Sequence, residues 1–279
     1  VLLLVAFNEF MLGVETFVAH LISGTIVTRE WIPIVFGLSA GVLLLIAGLI
    51  AVRHRTPATI IATVVFVASI VVGLLGAFYH LVRAAVIYAP FGEQVSVPLL
   101  VWAPPILGPL TFALAGLLGL SAAFLEDPTD SGSLRLFGRL RLNMPLSKTR
   151  GYLLLVSLGS LATVISSVLD HARTDFSNPW LWIATGIGVF ATVVAFGLAT
   201  VSRPTRADVW NYIVAMALLM LAGILGGLLH VLTNTTDTGH LVIERFIRGA
   251  PPLAPMLFAD IGLIGLVVLL DPREQRQVE

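Results

Sequence analysis

The sequence predicts an all-α integral membrane protein of eight transmembrane helices, arranged as a tandem 4+4 parallel repeat of four-helix bundles with both termini cytoplasmic. Three observations predict it. Apolar runs reach about 20 residues, the length that crosses a bilayer core. Charged residues are 11% of the chain and hydrophobic residues 57%, whereas a soluble domain carries about 25% charged residues. Finally, a pattern of histidines, glycines and prolines recurs in the two halves.

Taken in order, the apolar runs place spans at roughly 1–23, 32–52, 58–87, 98–125, 151–171, 179–201, 208–233 and 251–270. Helices are required, because lipid offers no partner for open backbone groups. The first run carries Glu9 and Glu15 and lacks a basic leader, so it reads as a span rather than a signal peptide. Orientation follows from the basic loops. Arg53, Arg55, Arg135, Arg139, Arg141, Lys148, Arg150, Arg203, Arg206, Arg273 and Arg276 share one side. Arg29, Arg83, Arg173, Arg245 and Arg248 share the other. The richer side is cytoplasmic, so the loops after spans 1, 3, 5 and 7 face outward. The expected divisions are a first repeat at 1–128, a basic cytoplasmic linker at 129–150, a second repeat at 151–272 and a tail at 273–279. The linker run from Leu134 to Leu142 mixes leucine with arginine, which suits either a solvated linker or a segment lying on anionic lipid. The expected location is a prokaryotic inner (cytoplasmic) membrane, crossed many times.

Composition excludes several chemistries. The formal net charge is zero, so nothing points to nucleic acid. With no cysteine there are no disulfides, iron–sulfur clusters, thiolate metal sites or covalently attached c-type haem.

The repeat carries the candidate site. Gly73-Leu74-Leu75-Gly76-Ala77-Phe78-Tyr79-His80 matches Gly223-Ile224-Leu225-Gly226-Gly227-Leu228-Leu229-His230. Pro104-Pro105 matches Pro251-Pro252, and Asp127-Pro128 matches Asp271-Pro272. His20 to His80 is 60 residues, and His171 to His230 is 59. Four spans per half, an even number, give both halves one orientation, as in parallel repeats.

His20, His80, His171 and His230 thus lie near the outward ends of spans 1, 3, 5 and 7, where they can supply two axial ligands per half. Positions four and seven residues earlier share a helix face with each histidine. They include Gly13, Gly73, Gly76, Gly223 and Gly226, a strip of small residues on which a flat macrocycle can lie. Close helix packing is the rival reading of that strip. Haem b, one or two copies, needs no cysteine. Arg83 and Arg173 stand near the histidines and suit haem propionates. The alternative ligands are copper, iron, zinc or chlorophyll magnesium. His54 reads as a solvated loop residue; His240, in the last outward loop with Asp237 and Glu244, is a candidate for a metal or proton-transfer site, and Glu93 and Glu244, which precede the paired prolines, are either the border of a pocket mouth or ordinary loop acids.

Three acids fall inside spans: Glu9, Glu15 and Asp260. Intramembrane acids are costly and usually functional, so all three are candidates for catalytic proton transfer. Glu9, Thr16 and His20 share a face. The second-half counterpart of Glu9 is Ser160, and the paired prolines align Asp260 with Ala113.

This layout resembles haem A synthase, a family of two fused four-helix bundles with a histidine pair in each. The resemblance implies His20 with His80 and His171 with His230 as haem ligands, and Glu9 or Glu15 as the acid near the first histidine. The outer-loop cysteine pair of many members is absent here. The expected function is a haem b-binding membrane oxidoreductase or electron-transfer subunit, with quinol and other subunits of a membrane complex as candidate partners. The other classes are a non-haem metal or chlorophyll protein, a proton- or ion-coupled transporter built on the intramembrane acids, and a structural subunit.

Overall fold

A computed structural model describes residues 2–21, 24–136, 140–235 and 242–270. Its helices are α1 (Leu2–Leu21), α2 (Trp31–Ala51), α3 (Arg55–Ala84), α4 (Val97–Trp102), α5 (Leu107–Ala123), α6 (Lys148–Ala172), α7 (Leu181–Thr200), α8 (Arg206–Thr235), α9 (Ile243–Arg248) and α10 (Leu253–Val267). Among the described residues, seven helices are long and apolar enough to cross a membrane. The protein is an all-α, multi-pass membrane protein.

The expected fourth span, 98–125, is two helices. Pro104 and Pro105 lack the amide hydrogens a helix needs, and the residue before a proline is pushed to extended backbone. Ala103 accordingly has φ −75 and ψ 167, and α5 restarts at Leu107. With 17 residues, α5 rises about 25 Å. The same punctuation precedes α10, where Gly249-Ala250-Pro251-Pro252 separates it from the short α9.

The chain forms two compact units. The first comprises Val1–Ala123 and Ile165–Pro179, and the second Phe124–Val164 and Trp180–Glu279. In the first, α1 packs on α2, α2 on α3, α3 on α5 and α5 back on α1, closing a ring of four helices. Its core is Val5, Ala6, Ala40, Leu44, Ala62, Val65, Phe66 and Ala115. In the second, α8 packs on α7 and α10. There α6 is tied to α7 by Ser157 and Ser160, whose hydroxyls donate to the carbonyls of Thr192 (2.9 Å) and Gly188 (3.1 Å). Tyr152 of α6 donates to Ile264 O of α10 at 3.0 Å.

These bundles are built for lipid. Along α3 the inward positions are Ala58, Ala62, Val65, Ser69 and Gly73, whereas Val64, Val71, Leu74 and Phe78 are exposed. Apart from the buried Phe66, the larger apolar groups of this helix lie outside and the smaller ones inside, the inverse of a water-soluble helix. In a bilayer, the outer face meets hydrocarbon and the small inner face lets helices approach closely.

The 129–150 linker is partly a small sheet, not a bare tether. Strands β1 (Leu125–Glu126), β2 (Ser133–Arg135) and β3 (Arg141–Asn143) pair antiparallel in that order, with Leu125 opposite Arg135 and Leu134 opposite Leu142. The leucine–arginine alternation has the period of two that puts alternate side chains on opposite faces of a strand. Leu134 is buried, and Arg135 and Arg141 both pair with Asp127. Buried Glu126 accepts from Gly132 N at 2.6 Å and from Lys148 N at 3.0 Å, so one carboxylate fixes the β1–β2 turn and the first residue of α6. Phe137, Gly138 and Arg139 lie outside the described residues, as do Arg273, Arg276 and Asp271-Pro272.

Candidate histidine site and buried acid

His20 sits in the last turn of α1 and His80 near the end of α3. Their ring centres are 6.3 Å apart, with an interplanar angle of 56°. His20 Nδ1 donates to Thr16 O, one turn back, at 2.7 Å. His80 Nδ1 donates to Pro105 O at 2.8 Å. A carbonyl can only accept, so each Nδ1 carries the hydrogen and, in the neutral ring, the lone pair is on Nε2. A backbone bond of this type orients a metal-binding histidine and sets its tautomer. Two ring nitrogens each about 2 Å from one metal, and about 1 Å inside their ring centres, give centres about 6 Å apart. The observed separation of 6.3 Å is of that size.

No group of three or more histidine, aspartate, glutamate or cysteine side chains able to hold a metal exists among the described residues. A bare zinc site takes three or four protein ligands. Two imidazoles suit a metal that brings its own equatorial donors, as haem does.

The glycine strip does a different job from the one expected. A Cβ on Gly13 would come within 2.7 Å of Leu38 N of α2. On Gly73 it would come within 2.5 Å of Ala113 N, and on Gly76 within 2.7 Å of Pro109 Cβ, both on α5. Gly223 meets Ala259 and Pro255 in the same way, and Gly226 meets Pro255. Backbone of a neighbouring helix at Gly13, Gly73 and Gly223, and a proline ring at Gly76 and Gly226, occupy the space beside these glycines, which fits close helix packing.

The arginines are also engaged. Arg173 donates through Nε to Val101 O (2.7 Å) and through its terminal nitrogen to Ala103 O (3.1 Å). Its fork satisfies carbonyls at the end of α4 rather than a propionate. Arg83 pairs with Glu30 at 3.7 Å, and Arg29 stands 5.6 Å from the Tyr79 ring centre. Glu30 also accepts from Val27 N at 3.0 Å, which fixes the loop between α1 and α2 beside the histidines.

His230 of α8 repeats the His80 device. Its Nδ1 donates to Pro251 O at 2.8 Å. One turn later, buried Asn234 clasps Ala250, donating to its carbonyl at 2.8 Å and accepting from its amide at 3.1 Å. His171 ends α6 and belongs to the first unit, with its ring 6.5 Å from that of Phe176. The glycine contacts also shift the alignment of the two similar sequence stretches by one residue. Gly73 meets Pro109 and Ala113, and Gly223 meets Pro255 and Ala259. Pro105 thus corresponds to Pro251, and the counterpart of Asp260 is Leu114 rather than Ala113.

Glu9 is fully buried in the first unit. The Ser69 hydroxyl of α3 lies 2.5 Å from Glu9 Oε1 and 2.8 Å from Phe112 O of α5. Glu9 Oε2 is buried with no hydrogen-bond partner among the described residues. Ser69 stands 60 residues after Glu9, the spacing of His20 and His80, and each acid-side residue lies 11 before its histidine. Three helical turns separate the two pairs on parallel helices, and that spacing is the signal that finds Ser69 in the sequence. Glu15 and Asp260 are partly buried, His54 and Glu93 are exposed, and Glu244 pairs with Arg248. His240 lies outside the described residues.

No protein-family model, curated protein or solved structure matches the chain. The resemblance to haem A synthase therefore rests on layout.

Proposed function

We propose that the chain is a haem b-binding subunit of a membrane oxidoreductase or electron-transfer complex, with its ligands near the extracytoplasmic face. On this reading α5 completes eight crossings, the two bundles are parallel repeats, and both termini are cytoplasmic. His20 and His80, both in the first unit, hold the haem. The observation that carries the reading is the His20–His80 pair: rings 6.3 Å apart on separate helices, each with Nδ1 committed to a backbone carbonyl.

Haem at such a pair supplies one-electron transfer. The chain's own part is positional. Thr16 O and Pro105 O hold the imidazoles in the tautomer that offers Nε2, and the Glu30–Arg83 pair joins the start of α2 to the end of α3 beside them. Because the four histidines are expected on one side, exchange with quinol or an extracytoplasmic partner subunit suits them better than a wire across the bilayer.

The test is a visible spectrum of the purified protein, oxidised and dithionite-reduced. We expect haem b bands in the wild type and their loss, in part or whole, in His80→Ala. Wild-type protein without haem absorbance, or a His80→Ala difference spectrum identical to wild type, rejects the assignment.

A further inference from the structure

We infer that Glu9 is a proton-binding site inside the membrane, and that Ser69 is the hydroxyl that changes partner between its loaded and empty states. The argument is a count of hydrogens. Ser69 has one, yet its oxygen makes two short contacts, to Glu9 Oε1 (2.5 Å) and Phe112 O (2.8 Å). The carbonyl can only accept. One hydrogen can be shared between two acceptors, but it cannot make two full-strength bonds; both contacts are full hydrogen bonds when Glu9 carries a proton on Oε1 and donates it to Ser69 Oγ, while Ser69 donates to Phe112 O. When the proton leaves to water, the Ser69 hydrogen swings from Phe112 O to the Glu9 carboxylate. Phe112 O then keeps the bond expected from its own helix. Of these groups, only Glu9 Oε2 has no partner among the described residues.

The surroundings favour the loaded form. Around Glu9, α2 packs on its backbone through Gly37, α3 meets its carboxyl through Ser69, and α5 packs on α1 and accepts from Ser69 through Phe112 O. Neither α2 nor α5 contains a histidine, lysine, arginine, aspartate, glutamate or tyrosine. The titratable groups of α3 are Arg55, Tyr79, His80 and Arg83, all near its ends. On α1 the others are Glu15 and His20. No cation faces Glu9, and an unpaired buried carboxylate is costly. With the proton on Oε1, Oε2 is a neutral carbonyl oxygen, for which burial without a partner costs less than for a charged carboxylate oxygen. The site is separate from the histidine pair, since 11 residues of helix place it about 16 Å along the axis. It does not depend on haem.

Infrared spectroscopy of the full-length protein in lipid vesicles tests this. At neutral pH the wild type is expected to show the C=O stretch of a protonated carboxylic acid. The band should move down in D₂O, vanish in Glu9→Gln, persist in Glu15→Gln and move to higher frequency in Ser69→Ala, where its hydrogen bond is lost. A wild-type spectrum without the band, or a band that survives in Glu9→Gln, overturns the proposal. So does a band unmoved by D₂O, which marks a sealed structural acid. Glutamine is nearly isosteric with the neutral acid, and its helical circular dichroism and gel-filtration position are expected to match wild type. If that variant does not fold, the Ser69→Ala shift decides the question, and an unshifted band rejects it.

Discussion

The inner faces of α3 and α8 share their ends and differ in their middles. Each carries a histidine whose Nδ1 donates to a proline carbonyl at 2.8 Å, and each carries glycines in contact with a proline and an alanine of the following apolar helix. Three turns below the histidine, α3 presents Ser69 to Glu9 of α1. At the same step α8 presents Leu219, which is fully buried. Ser160, the counterpart of Glu9, turns instead to Gly188 O. What the units share is therefore scaffold, and what separates them is one buried proton-bearing group.

That comparison can be broken at its shared part first. Gly73→Leu and Gly223→Leu are each expected to cost about 3 kcal/mol or more, because overpacking against backbone has no side chain to displace. Denaturant unfolding in detergent measures this, and a large loss in one variant with none in the other would show that the contacts are not equivalent. Leu219→Ala should cost about 3 kcal/mol through the cavity it leaves. Ser69→Ala should cost about 2 kcal/mol, since it removes the partner of a buried acid rather than volume. The pair of values separates an apolar centre from a polar one. Last, Arg83→Ala should change stability by less than about 1 kcal/mol, because its ion pair with Glu30 is partly exposed and long. An effect several times larger would mean that the pair holds more than a loop.

Most of the helical plan was legible because apolar runs and their basic interruptions are strong signals. The break in the fourth span was less so. The apolar run continues across Pro104-Pro105, and only the missing amides stop the helix. The sheet after α5 was overlooked for a different reason: its leucine–arginine alternation is short and lies in a basic stretch, so charge dominated the reading over period. The histidines were placed by spacing, and the same spacing marks Ser69, but a lone serine in an apolar helix draws no attention until its partner is known. The glycines misled because one residue type serves two purposes. Absence of a side chain admits either a flat ligand or another backbone, and sequence does not say which. Arg173 is similar, since a guanidinium fork fits two backbone carbonyls as well as a carboxylate.

The chain passes between its compact units three times, after Ala123, Val164 and Pro179. No single scission yields two self-sufficient fragments. A piece ending at Ala123 keeps α4 but forfeits Arg173, whose fork holds the last carbonyls of that helix. A first unit expressed by itself would therefore need Ile165–Pro179 supplied along with Val1–Ala123.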